Sequence, residues 1–281
     1  MIYPTLSKSI DLYISEVLYY KSDWYERGQK SQLKWWKSKL GSYRLNQVTP
    51  SLVKDNLPAR SNSTKNRYLT ALSCVFNNYY TGDNPVSKIK KFKESRGRVR
   101  FLSDTERISL LHHLKNSNHP HIYSIIVLAL STGMRKMEIF KLTKDRVDLS
   151  RNLVYLVDTK NNEPRMIPLG GLALELVTQS IDRNPEWCKY VFPTRTYSYY
   201  KHTPDAWHRA LKAASIKDFT FHCLRHTAAS YMAMNGVPIL TIAEILGHKD
   251  LSTTKRYAHL NIQHLRSTLQ GLNNLMFPDS P

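Results

Sequence analysis

The chain of 281 residues has few of the features that a secreted or metal-dependent protein relies on. It holds only 3 cysteines, Cys74, Cys188 and Cys223. No two of them are closely spaced, so neither a disulfide framework nor a paired-thiolate metal site is indicated, and a reducing compartment fits. Long apolar runs are missing as well. The longest, Ile122 to Leu130, contains Ser124 and falls far short of the roughly 20 residues that cross a bilayer. Met1 to Ser9 lacks the charged-then-apolar layout of a secretion signal. There is no internal repeat and no low-complexity tract. The scarcest commodity is negative charge: 22 Asp+Glu stand against 41 Lys+Arg, for a formal net charge of +19. A field of that size attracts polyanions, and nucleic acid is the first candidate. From these features a cytoplasmic protein is expected, associated with the nucleoid and away from membranes.

The positive charge is uneven. Residues 1–100 carry 19 Lys+Arg against 7 Asp+Glu. The densest run is Lys88 to Arg100, which includes Lys90, Lys91, Lys93, Arg96 and Arg98 and only one acid, Glu94. Such a block repels itself and is expected to be extended and solvated. Between two folded segments it reads as a linker that tracks a phosphate backbone, with Lys88, Lys90, Lys91, Lys93 and Arg96 as contacts.

Ahead of that run the pattern is helical. Ile10, Tyr13, Ile14, Val17 and Leu18 share one helix face, and Leu33, Trp36 and Leu40 mark a second helix ending at Gly41. Thr49-Pro50 caps and opens a third. A fourth starts at Ser63 or Thr64, turns Tyr68, Leu69, Leu72, Val75, Phe76 and Tyr79 inward, and stops at Thr81-Gly82-Asp83-Asn84-Pro85. Lys65 and Arg67 open that fourth helix, where cations can meet a phosphate. After the run, Ser103-Asp104-Thr105-Glu106 is a capping box for a helix carrying Ile108, Leu111 and Leu114. A buried helix spans Ile122 to Leu130, and another runs from about Arg135 to Leu142. Leu153–Val157 and Arg165–Pro168 form a β-hairpin about the turn Asn161–Pro164. Helices from Gly171, Thr203-Pro204, His222 and Pro238 follow, and a last one covers 261–275. The expected class is mainly α with a small β-hairpin sheet, arranged as a helical domain over 1–86, a basic linker over 87–102 and an α+β domain over 103–281.

The chemistry concentrates in the second domain. Arg135 follows the turn at Gly133, Lys160 sits at the hairpin tip, His222 and Arg225 lie on one helix, and His248 and Tyr257 come later. Displacement at a phosphodiester builds negative charge on the non-bridging oxygens, which the planar fork of arginine suits. A tyrosine hydroxyl, with a pKa near ~10, needs a base or a positive field to act as nucleophile. His222 can be the base, Arg135 and Arg225 the field, His248 a further donor, and Lys160 the acid for the leaving 5′-oxygen. Histidines at i and i+4 (His222, His226) can also hold zinc. The Glu that follows the first histidine in zinc proteases is here Cys223, so neither a metal nor another cofactor is expected.

The segment from about Leu102 to Leu260 resembles the catalytic domain of the tyrosine recombinase (phage integrase) family. Ser131-Thr132-Gly133-Met134-Arg135 with Glu138 is similar to its first arginine box. Thr159-Lys160-Asn161 through Pro164-Arg165-Met166-Ile167-Pro168-Leu169 resembles its lysine hairpin, and His222-Cys223-Leu224-Arg225-His226-Thr227 its His-x-x-Arg box. Leu246-Gly247-His248 resembles its third basic position, and Tyr257 its nucleophile. The chain departs from the pattern at Cys223, where the family usually has Asp, and at Ala228, where a large apolar residue is usual. Residues 1–86 are similar, less specifically, to the family's core-binding domain, and no separate arm-binding domain is expected before them.

The resemblance implies a site-specific recombinase, encoded by a bacterium or a phage, that cleaves and rejoins double-stranded DNA through a 3′-phosphotyrosyl intermediate on Tyr257. A type IB topoisomerase-like DNA relaxing enzyme is the alternative. The resemblance also implies a protein that is mainly monomeric alone and tetrameric on DNA, with possible accessory DNA-bending or directionality proteins. The apolar stripe Ile262, Leu265, Leu269, Leu272 and Leu275 of the last helix would then dock on a neighbouring copy.

Overall fold

A computed structural model gives the structure of residues 3–21, 23–94, 99–157 and 164–277, with backbone alone at 23, 24 and 262–264. The chain divides into two compact units, Met1–Gly97 and Arg98–Pro281.

The first unit is helical. It comprises α1 (Leu6–Glu16), α2 (Asp23–Leu40), α3 (Pro50–Asp55) and α4 (Asn62–Tyr79). Side-chain oxygens of Thr5, Thr49 and Ser61 accept from backbone N–H groups of α1, α3 and α4, which satisfies donors that have no partner inside the helix. Helix α4 thus begins slightly earlier than expected. The apolar faces meet in one core containing Leu6, Ile10, Leu33, Trp36, Leu72 and Phe76. The Trp36 indole N–H donates to the Tyr68 carbonyl at 2.9 Å, so burying this ring leaves no orphan polar atom.

The basic run does not behave as a free linker. Ile89 is buried and Phe92 packs on the core of the first unit. The Asn66 side chain, on α4, pairs with both polar groups of the Phe92 backbone, accepting at 2.9 Å and donating at 2.9 Å. Asn62 donates to the Lys93 carbonyl at 2.8 Å. The expected linker 87–102 is therefore divided. Its first residues, to Glu94, are docked on the first unit. Leu102 at its far end belongs to the second unit's core, and Arg100 is paired with Glu106. Apolar Ile89 and Phe92, interleaved with the lysines, overcome the self-repulsion that would otherwise extend the run. Arg96 lies outside the described residues.

In the second unit the capping box at Ser103 is present in full. Ser103 Oγ accepts from Glu106 N–H and the Glu106 carboxylate accepts from Ser103 N–H. The box opens α5 (Asp104–Lys115), where Leu110 and Leu114 are buried but Ile108 is 60% exposed, against expectation. Helix α6 (Ile122–Thr132) is apolar on nearly every side, as a helix enclosed by others must be. It is followed by α7 (Lys136–Phe140). The expected hairpin is two strands of a three-stranded antiparallel sheet, β1 (Val147–Asp148), β2 (Leu153–Leu156) and β3 (Arg165–Pro168), in the order β1-β2-β3. Leu153 pairs with Pro168 and Leu156 with Arg165, so Val154 and Ile167 are opposite one another and both buried. The remaining helices are α8 (Gly171–Arg183), α9 (Asp205–Ala213), α10 (His222–Met234), α11 (Ile239–Leu246) and α12 (Ile262–Met276), with a 3₁₀ segment at Lys255–Asn261. Among the described residues no helix is long and apolar enough to cross a membrane.

Candidate active site

Two helix ends build the floor of the site. Helix α6 stops at Gly133 and α11 at Gly247, both in the left-handed region, at φ 65° and 64°. A side chain at Gly133 would place its Cβ 2.5 Å from Leu246 Cδ2, and one at Gly247 would meet the Arg165 guanidinium at 2.8 Å. Glycine is therefore required twice over, by backbone conformation and by space. The ends leave carbonyls without helical partners and carry partial negative charge, and arginines satisfy them. Arg225, from α10, donates to Gly133 O at 2.9 Å and also to Leu246 O. Arg135 donates through Nη2 to Gly247 O at 3.2 Å. Two arginines far apart in the chain are thus fixed on adjoining helix ends.

Behind Arg135 stands Glu138, whose side chain is 8% exposed. Its carboxylate accepts from Arg135 N at 2.7 Å and Arg135 Nη1 at 2.8 Å. It also accepts from Arg165 Nη1 at 3.2 Å and Nη2 at 2.8 Å. Burial on its own would push the Glu138 pKa up, but the hydrogen bonds and charge of Arg165, then those of Arg135, hold it below the usual carboxylate range. A buried carboxylate held by two guanidiniums in this way orients both. Arg165 was not among the residues singled out from sequence. The signal available was its place at the start of the returning strand, opposite Leu156.

The histidines feel the excess of arginine. Burial, followed by the charges of Arg225, Arg135, Arg256 and Arg165, pushes His248 from the ordinary 6.5 down to about 4. Its Nδ1 lies 2.8 Å from the hydroxyl of the fully buried Thr254, which fixes the ring. Burial and then Arg225, Arg135 and Arg256 also lower His222. Burial and Arg135 bring Arg225 itself down to about 9, which leaves it charged at neutral pH.

Tyr257 lies in a polar, basic stretch of the sequence but is itself enclosed. Lys255, Arg256 and His259 are indeed exposed, yet Tyr257 is 2% exposed and packs with Ala229, Ala233, Ile242 and Leu246. The 3₁₀ segment turns this one residue inward, and the small alanines of α10 leave room for the ring. Its hydroxyl is 2.5 Å from Nδ1 of His226. His222 was expected to be the base; the described hydrogen bond comes instead from the histidine one turn further on, whose ring meets that of His222 edge-on at 4.8 Å. Burial raises the Tyr257 pKa, and Arg256 and Arg225 offset part of the rise.

Of the six residues singled out for chemistry, Arg135, His222, Arg225, His248 and Tyr257 come together here, whereas Lys160 lies outside the described residues. The two departures in this region are accommodated locally. Cys223 Sγ sits 3.4 Å from Thr220 N–H and 3.3 Å from its hydroxyl, ahead of α10. Ala228 borders the space beside Gly133. Among the described residues no group of three or more His, Cys, Asp or Glu side chains could hold a metal ion.

In the first unit, Lys65 and Lys90 line a cleft of about 430 Å³ together with Lys54 and Phe92. Lys65 Nζ stands 5.2 Å from the centre of the Phe92 ring. Arg67, Lys91 and Lys93 are exposed, while Lys88 is tied to Asp83 at 2.9 Å.

The sequence model of the phage integrase family matches residues 100–264, more than half of the chain. The shufflon-specific DNA recombinase of Escherichia coli is 34% identical over 192 residues, 67% of this chain and 47% of the relative. The integrase of Haemophilus phage HP1 is 29% identical over 228 residues, 78% of this chain and 62% of the relative. The chain thus spans about half to two thirds of the length of these relatives. The structure superposes on that of the Tn1549 transposon integrase in complex with a circular intermediate DNA. The TM-score is 0.77 at 18% identity, with 95% of this chain and 99% of the other covered.

Proposed function

Because the chain belongs to the phage integrase family, we propose that it is a site-specific DNA recombinase that cleaves and rejoins double-stranded DNA through Tyr257. The observation that carries this reading is the convergence of Arg135 and Arg225 on two helix ends, with His248 and Tyr257 beside them. A phosphate held by both guanidiniums has its non-bridging oxygens met by fixed positive charge, and the cost of organising that charge is met in folding. Attack by the Tyr257 oxygen forms a phosphotyrosyl ester on the 3′ side and releases a 5′-hydroxyl, with Lys160 as the donor to the leaving oxygen. The ester conserves the energy of the broken bond, so the chemistry calls for neither nucleotide nor metal. His222 and His248 act as neutral or newly protonated donors to the same phosphate.

In the first unit, Lys65, Arg67, Lys90, Lys91 and Lys93 hold DNA through its backbone. Lys88, already paired with Asp83, contributes less. Assembly of four copies on two duplexes fits the state of α12: Leu265, Leu269, Leu272 and Leu275 are all exposed on the single chain, which leaves an apolar stripe for a neighbouring copy. A plasmid carrying two copies of the DNA junction that flanks the gene tests the function. Deletion or inversion between the copies is the expected product. Efficient relaxation of a plasmid without those copies, with no exchange, would instead assign a topoisomerase.

A further inference from the structure

We propose that His226 is a catalytic residue, the group that holds the Tyr257 hydroxyl in register and takes its proton during cleavage. The inference rests on Tyr257 being the nucleophile. Its starting point is geometric. Tyr257 is 2% exposed, so its side chain is enclosed by protein and proton transfer calls for a partner inside the fold. The partner the structure provides is Nδ1 of His226, at 2.5 Å. Both groups are held from well-formed elements: His226 by α10, directly after Arg225, and Tyr257 by the 3₁₀ segment that packs on α10. Consecutive residues of one helix therefore bring a phosphate ligand and a proton acceptor to the two ends of the same reaction, one at the phosphorus and one at the attacking oxygen.

The protonation states fit this role. Burial, then His222, Arg256 and Arg225, push His226 down to about 4, so the ring is neutral at neutral pH; in the tautomer that carries its proton on Nε2, Nδ1 accepts from the phenol. The groups whose charge acts on it are His222 and Arg225 on its own helix and Arg256 on the 3₁₀ segment, with Tyr257 as its hydrogen-bond partner; of the other elements packed on α10, α6 carries no charged residue, α11 carries Glu244 and α12 carries Arg266. In the free protein burial, reinforced by this cationic surround, makes His226 a weak base. A phosphate bound by Arg135 and Arg225 brings negative charge that offsets the same cations, which raises the basicity of His226 when substrate is in place. The nucleophile is then activated by the arrival of DNA. In the step itself the bond from Tyr257 oxygen to phosphorus forms and the bond from phosphorus to the 5′-oxygen breaks. The phenolic proton passes to His226 Nδ1, and the 5′-oxygen takes its proton from a different donor. Rejoining runs the same transfers backwards.

The test uses full-length protein and two versions of one cleavable duplex, an ordinary phosphodiester and one with sulfur as the 5′-bridging atom. The thiolate leaves without needing a proton, so sulfur relieves a missing acid and leaves a missing base unrelieved. His226→Ala is expected to slow covalent-adduct formation by about 10²-fold or more on both duplexes, whereas Lys160→Ala is expected to recover on the sulfur duplex. His226→Asn keeps a polar atom near the position of Nδ1 but cannot take a proton. It should bind DNA normally, remain slow, and lose the acid limb of the pH–rate profile. Normal circular dichroism and DNA affinity of the Asn variant show that folding is intact. Full-rate cleavage by His226→Asn overturns the proposal, as does rescue of either His226 variant by sulfur. Tyr257→Phe separates the two layers: an adduct on the Phe variant sinks the assignment of the nucleophile, whereas an inactive Phe variant beside fully active His226 variants sinks the role of His226 alone.

Discussion

Replacing Glu138 with alanine should destabilise the second unit more than any surface substitution can. The carboxylate accepts four hydrogen bonds from Arg135 and Arg165, and the side chains of Glu138 and Arg165 are only 8% and 11% exposed. Removing the acid leaves Arg165 charged and enclosed beside Arg135 and Arg225, with no anion among them. Breaking a buried pair from one side costs about 3–5 kcal/mol, most of it the penalty of the stranded partner. For a unit of this size that corresponds to a drop in thermal midpoint of roughly 6–20 °C. If the cost is stranding, removing both partners must cost less than the sum of the single changes. Glu138→Met with Arg165→Met should therefore recover about 2 kcal/mol of the summed losses. Calorimetry of the full chain reads this directly, because the transition of the second unit should move while that of the first stays in place. Single substitutions that change stability by less than about 0.5 kcal/mol, or a double substitution that is strictly additive, would show that Glu138 does not hold a stranded charge in place.

Three further outcomes are expected. Arg225→Ala should slow cleavage by about 10²–10³, equivalent to about 3–4 kcal/mol of transition-state stabilisation, with a much smaller loss of DNA affinity; equal losses in rate and binding, measured by adduct formation and filter binding, would reduce Arg225 to a positioning contact. Acid should weaken the fold, because His121, His226 and His248 are each lowered by burial from 6.5 to about 4. The unfolded chain then binds more protons between those values, so stability is full above about pH 6.5 and falls as pH drops towards 4; a thermal midpoint unchanged between pH 7.5 and pH 5 would contradict this. Replacing Lys90, Lys91 and Lys93 by alanine should lower the slope of log K against log salt by up to about three units, and an unchanged slope would confine these lysines to holding the fold.

What the sequence disclosed depends on how locally each feature is determined. The capping box at Ser103 and Glu106 lies within four residues, and it folds as read. The helices of the first unit follow their apolar spacing, and Thr49-Pro50 opens α3 where expected. Strand β1 escaped notice because two residues are too few to show an alternating pattern. The burial of Tyr257 was hidden because its pocket is made by Ala229, Ala233, Ile242 and Leu246, all on other elements, while its neighbours in sequence are exposed and charged. The pairing of His226 with Tyr257 spans 31 positions, and nothing in the spacing of His222 and His226 distinguishes which of them meets the tyrosine. Docking of residues 87–94 is legible in principle, since Ile89 and Phe92 recur at an interval of three within the lysine run, but the charge of that run is the stronger local signal and points to an extended, solvated linker.

Identification of the residue linked to DNA decides whether Tyr257 is the nucleophile. The wild-type chain should be trapped on a nicked duplex, the adduct digested with protease and nuclease, and the nucleotide-bearing peptide sequenced by mass spectrometry. The nucleotide is expected on Tyr257 through a 3′-phosphate, in the presence of excess chelator, and Tyr257→Phe should bind the duplex without forming any adduct. A nucleotide on another residue, or an adduct that Tyr257→Phe still forms, would assign the nucleophile elsewhere.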